Sequence, residues 1–178
     1  MLAPDATTLR IAGEVHPLRA SLRAGIRLER NFGLPALAEG LAIGSVTVLS
    51  AILVESGAPE DVFHAVSLGD ALPEAQIAAA ALLTEIYGLD HESDAEPKKE
   101  GKGVTHAEAF ASLYRGATGI LGWSPEDALD ATPSEIAEAI QGRHDFVGDI
   151  LKAVFGSPKT DEGDEPSPAP ANSNETPE

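Results

Sequence analysis

A mainly α-helical α+β protein is the fold class this sequence predicts, and three observations predict it. Alanine and leucine supply most of the apolar content while aromatics make up only 4% of residues, which favours closely packed helices over a sheet lined with large side chains. Apolar residues recur at helical spacing along much of the chain, and Ser-Pro, Thr-Pro and Pro-Glu pairs repeatedly mark helix starts. Only Thr7 to Ala20 reads as a pair of strands joined by a tight turn. The predicted layout is an N-terminal β-hairpin and helical bundle over residues 1–90, a flexible linker over 91–103, a small C-terminal helical domain over 104–156 and a disordered acidic tail over 157–178.

The hairpin is expected to turn at Gly13-Glu14, a type II′ connection that sets Leu9 across from Leu18 and Ile11 across from His16. Pro17 marks its second strand as an edge. Ser21 then caps a helix through about Asn31, with Leu22, Ile26 and Glu29 or Arg30 on successive turns, Gly33 as its stop, and Arg23 and Arg27 on one exposed face. Leu34-Pro35 opens a short helix to about Ala42. Val46 to Val54 mixes signals: Val-Thr-Val suggests a strand, but a helix capped at Thr47 suits the segment's length better.

Pro59-Glu60-Asp61 starts a short helix carrying Val62, Phe63 and Val66, and Pro73-Glu74 a longer one from Ala75 to Tyr87. In the longer helix Ile77, Ala80, Ala81, Leu83 or Thr84, and Tyr87 form the predicted buried side, and Gly88 ends it. Between His91 and Gly103 the chain has no apolar anchor. Thr105-His106-Ala107-Glu108 is then a capping box, and Ala107, Phe110, Leu113, Tyr114, Ala117 and Leu121 follow at helical spacing.

The chain's one tryptophan, Trp123, directly follows that helix. Two start signals come next, Ser124-Pro125-Glu126-Asp127 and Thr132-Pro133-Ser134-Glu135. In each, a hydroxyl caps an orphan backbone N–H, proline has no N–H to lose, and an acid suits the positive end of the dipole. Trp123 is expected to wedge between the preceding helix and the two that follow. The second of these should stop at Gly142, and Phe146, Ile150, Leu151 and Val154 define a last amphipathic helix ending near Phe155.

A formal net charge of −17 argues against nonspecific binding to nucleic acid or an anionic membrane, which relies on Lys and Arg to neutralise phosphate. Arg10, Arg19, Arg23, Arg27 and Arg30 crowd the N-terminal portion, and no Lys or Arg occurs from Asn31 to Pro97. With no cysteine, disulfides, thiolate metal sites and a Cys nucleophile are all excluded. Neither a signal-peptide pattern nor an apolar run of the roughly 20 residues that span a membrane occurs, so a cytoplasmic protein is expected.

No catalytic, cofactor-binding or metal site is predicted. The five histidines, His16, His64, His91, His106 and His144, are scattered with no metal-ligand spacing. His144-Asp145 are neighbours on a helix and point apart. Glu60-Asp61 and Glu126-Asp127 sit in first helical turns, where the dipole accounts for them. The Gly-rich stretches at Gly40 and Gly116-Gly119-Gly122 lack the lysine of a phosphate loop. Gly119 and Gly122 are read instead as points of close helix approach.

Two blocks carry a family resemblance. Gly122-Trp123-Ser124-Pro125 through Thr132-Pro133-Ser134-Glu135-Ile136 resembles a small family of phage tail assembly chaperones, also found in gene transfer agents, marked by Gly-Trp, Pro, a short helix and Thr-Pro-x-Glu-Leu. Here Ile136 stands for the leucine, and Ala128-Leu129 replaces a bulkier aromatic pair. The first block runs from the Thr7 hairpin through Leu22 to Glu29 and on to Gly44-Ser45-Val46-Thr47-Val48 and Gly57. It is similar to the gene transfer agent tail tube or tail assembly chaperone proteins, an opening hairpin followed by a helical bundle.

The resemblance implies a non-catalytic protein of the bacterial host cytoplasm, absent from mature particles, that binds the tape-measure protein and recruits tail tube subunits. Self-association is compatible with it. In this family a long form is often made by programmed frameshift, and the 91–103 segment would suit such a junction. Leu121, Trp123, Ala128, Leu129, Ile136 and Ile140 are the predicted partner-binding residues. The alternative is a structural tail tube or minor tail component. A helix-turn-helix regulator is disfavoured because Pro133 to Gln141 holds Glu135 and Glu138 and no basic residue.

Overall fold

The computed structural model describes residues 7–11, 13–62, 72–89 and 104–155. It is mainly helical with one two-stranded antiparallel hairpin, in the order β1 (Thr8–Ile11), β2 (Glu14–Pro17), α1 (Leu22–Asn31), α2 (Leu34–Ala42), α3 (Val46–Glu55), α4 (Leu72–Tyr87), α5 (His106–Gly119), α6 (Pro125–Asp130) and α7 (Pro133–Phe155). No helix among the described residues is long and apolar enough to cross a membrane. The linker at 91–103, the tail at 157–178, and Phe63 and Val66 of the expected fourth helix lie outside the described residues; Val62 is buried.

The hairpin forms, in a register shifted from the expected one. Thr8 pairs with Pro17, Leu9 with His16, Arg10 with Val15 and Ile11 with Glu14. Gly13, immediately before the second strand, has φ 88, in the left-handed region that turns reserve for glycine. Leu18 N–H donates to the Thr7 carbonyl at 2.7 Å, and Leu9 and Leu18 are both buried.

Ser21 caps α1 as expected, its Oγ accepting from Ala24 N–H at 3.2 Å. The buried face of α1 is Leu22, Ala24, Gly25 and Leu28, and it packs against α2, α3, α4, α5 and α6, which makes it the central element. The ambiguous apolar run is helix α3, with Ser45 rather than Thr47 at the N-cap position and no side-chain capping bond there, and with Val48, Leu49, Ile52 and Leu53 buried.

In α4 the buried side is Ala75, Ala78, Ala79, Leu82, Leu83 and Ile86, while Ile77 is 72% exposed and Ala81 is also exposed. Of the expected stripe, Leu83 is buried and Tyr87 packs against the core, whereas Ile77 and Ala81 are not part of the buried side, because an alanine-rich helix offers competing faces. The one holding Leu82, Leu83 and Ile86 buries more apolar area. Helix α7 also departs from expectation, running through Gly142 to Phe155. A glycine stop needs a left-handed residue just past the helix, and Gly142 does not adopt a positive φ. Inside a helix it costs only about 1 kcal/mol relative to alanine.

The division of the chain also differs. Met1–His144 forms one compact unit and Asp145–Glu178 a second, so the expected boundary at 91–103 does not separate two cores. Phe110, Ala117, Ala128 and Ile136 belong to the same buried cluster as Leu9, Leu22, Leu49 and Leu82. In the second unit, the described residues are the end of α7, where Phe146, Val147, Ile150, Leu151, Val154 and Phe155 are between 41% and 79% exposed.

Candidate partner-binding site

The corner around Trp123 is built from three local devices. Gly122, at φ 74, turns the chain after α5, so that Trp123 N–H donates to the Ala117 carbonyl at 3.1 Å, and Trp123 packs half-buried against the core. Ser124 caps α6, its Oγ accepting from Asp127 N–H at 3.1 Å and donating to Asp127 Oδ2 at 2.7 Å. Thr132 and Glu135 form a reciprocal box at the start of α7: Glu135 N–H donates to Thr132 Oγ1 at 3.1 Å, and Thr132 N–H to Glu135 Oε2 at 2.8 Å. The close approach of helices is at Gly116, where a Cβ would stand 2.5 Å from Ile140 Cδ1; Gly119 faces open space.

The hairpin end and α1 hold this corner in place. Leu22 N–H donates to the Ala131 carbonyl at 2.8 Å. Arg19 donates from Nε to the Asp130 carbonyl at 2.7 Å and pairs through Nη2 with Glu135 Oε2 at 2.6 Å. Arg23 reaches Asp130 Oδ1 from Nη2 at 2.8 Å and from Nε at 3.2 Å. Arg23 and Arg27 therefore serve different partners, since Arg27 pairs with Glu55 at 3.0 Å.

Beside Trp123 lies an open groove of about 930 Å³ lined by Arg19, Trp123, Asp127, Asp130, Ala131, Glu135, Glu138 and Ala139. Four carboxylates thus face one guanidinium over a floor of indole and alanine. Burial pushes the Glu85 carboxyl above its ordinary range, Glu135 pushes the same way, and Arg19 pulls partly back.

Of the six predicted partner-binding residues, Trp123 alone lines this groove. Ala128 and Ile136 are fully buried, which makes them core residues and leaves them no surface to offer a partner. Leu121, Leu129 and Ile140 are half-buried. Ile140 packs against the core and fills the space over Gly116. Arg19, Asp127, Asp130 and Glu138 were missed as site residues. The available signal was the contrast between an arginine-rich start and the acidic stretch after Trp123.

The chain matches no known protein family, no curated protein and no solved structure. A second, smaller cavity of about 400 Å³ between α1 and α5 is lined by Ile26, Glu29, Arg30, Ala107, Phe110 and Ala111. Glu29 is already engaged there, accepting from Tyr87 Oη at 2.9 Å and from Leu34 N–H at 3.2 Å. Burial and this bond to Glu29 raise the Tyr87 pKa well above its ordinary value. Tyr87 also meets Phe110 and His106 edge-on, at ring-centre distances of 5.5 and 5.0 Å. These contacts fix where α4, α1 and α5 meet. Among the described residues, no group of three or more His, Asp or Glu is placed to hold a metal ion. What the Trp123 corner offers is binding, through an apolar floor and an acidic rim.

Proposed function

We propose that this chain is a non-catalytic tail assembly chaperone of phage or gene transfer agent type. It would hold the tape-measure protein soluble in the host cytoplasm and recruit tail tube subunits to it. The observation that carries this reading is the uncovered apolar end of α7, where six large side chains from Phe146 to Phe155 are 41–79% exposed within about three helical turns. Scattered apolar residues are normal on a protein surface, but a contiguous patch of this kind marks an interaction surface.

An amphipathic helix of a client is the natural complement to such a stripe. The strong negative charge keeps a complex with a greasy client dispersed. The residue-level resemblance of the Gly122–Ile136 and Thr7–Gly57 blocks supplies the choice of client.

Co-expression with the cognate tape-measure protein tests the proposal. The expected result is a soluble complex, lost in the Ile150→Asp/Leu151→Asp double variant, with the chaperone left behind when particles mature. A tape measure that stays insoluble beside the intact chain, or stoichiometric recovery of the chain in finished particles, overturns it. The second outcome would make it a tail tube or minor tail component.

A further inference from the structure

We infer that the groove beside Trp123 is a receptor for a lysine or arginine side chain presented by a client polypeptide. This deepens the chaperone reading and rests on it only for the identity of the client. The argument begins with which charges are already used. Glu135 is taken by Arg19 and by Thr132 N–H, and Asp130 by Arg23. Asp127 accepts from the Ser124 hydroxyl and has no cation beside it. Glu138 has no hydrogen-bond or ion-pair partner among the described residues. Asp127 is further stabilised by its place in the first turn of α6, so Glu138 is the one carboxylate of this groove without a partner among the described residues, and it shares the groove with a half-buried indole.

That combination fits a cation on an apolar stem. Tryptophan is the best aromatic face for an ammonium or guanidinium group. Ala131 and Ala139 leave room over the floor for the methylene chain, while the charged end stays at the wet rim. The chain shows how such a group sits there, because its own Arg19 lies in the groove, bonded to a backbone carbonyl and a carboxylate together. At about 930 Å³ and open to solvent, the groove admits a side chain carried on a polypeptide segment.

Trp123 is the only tryptophan in the chain, so its emission reports on this groove without background. The probes are a 15-residue helical peptide of Ala, Leu and Gln carrying two lysines one turn apart, and the same peptide with both lysines acetylated. At low salt the lysine peptide is expected to perturb Trp123 emission and to bind about tenfold more tightly than its acetylated form, from one cation–π contact and one exposed ion pair. The preference should shrink at 1 M salt, where the screening length falls to about 3 Å.

Glu138→Gln should weaken the lysine peptide by about three- to fivefold. Glu39→Gln, which removes the same charge from the exposed face of α2, should not weaken it. Equal affinity for the two peptides, or equal behaviour of the two glutamine variants, overturns the inference. Neither outcome touches the co-expression result, so a failed groove and a failed chaperone remain separable.

Discussion

Replacing Ile136 with alanine tests whether residues 104–144 share one core with the hairpin and α1. Ile136 is fully buried and belongs to a cluster that includes Leu22 of α1 and Leu9 of the hairpin. Truncation to alanine removes its buried methyl and methylene groups and leaves a cavity, a change that costs about 2–5 kcal/mol in cores of this kind. For a unit of this size that corresponds to a loss of roughly 6–15 °C in Tm. The assay is urea unfolding followed in parallel by Trp123 emission, which reports the corner between α5 and α7, and by far-UV circular dichroism, which α1 to α4 contribute to strongly. Both signals should move to the lower midpoint together, as one cooperative unit requires. A variant in which Trp123 emission is lost early while most helicity unfolds at the original midpoint would refute the single-core reasoning.

Two glycines should respond oppositely to alanine. At Gly40 a Cβ would stand 2.5–2.9 Å from all three side-chain carbons of Val48, including its backbone-fixed Cβ, so α2 must move from α3. Gly40→Ala should destabilise by about 1–3 kcal/mol less the helix-propensity gain. Gly142 faces open space inside α7, so Gly142→Ala should stabilise by about 1 kcal/mol, and thermal melts of the two variants check both signs. Glu85→Gln should raise stability at pH 7. Its folded pKa is raised, so the folded state binds more protons between the unfolded value near 4.5 and the higher folded one, and stability falls as pH rises through that window. Urea midpoints at pH 7 and below pH 4.5 should therefore show the gain at the former and its loss at the latter.

Caps were the most legible part of the sequence. Ser21, Thr105, Ser124 and Thr132 each cap the predicted helix, because a capping bond spans only two or three residues and is written locally. Faces and boundaries were less legible. The α4 stripe was partly misplaced because alanine contributes little to either candidate face, leaving the choice to tertiary packing. The corner was read as a separate domain because what joins it to α1 is long-range: the bonds of Arg19 and Arg23 to Asp130 span 111 and 107 residues. No local pattern encodes such a pairing. Ala128 and Ile136 were assigned to a partner for the same reason, since apolar residues without a visible core look available.

The division of labour at the Trp123 corner follows from the exposure of its charges. The side chains of the Arg19–Glu135 and Arg23–Asp130 pairs are 37–59% exposed, and ion pairs in that setting contribute about 0–1 kcal/mol each. The corner is therefore held chiefly by buried Ala128 and Ile136 and by the backbone bond from Leu22 to Ala131. On its acidic rim, Asp127 and Glu135 serve the caps of α6 and α7, Asp130 pairs with Arg23, and Glu138 has no structural bond among the described residues. Glu138, free of a structural task and set beside an indole that the same packing holds in place, can exchange water for a partner's cation without loosening the fold. A protein whose core were locked by that charge could not use it in this way, because each binding event would compete with a bond the structure required.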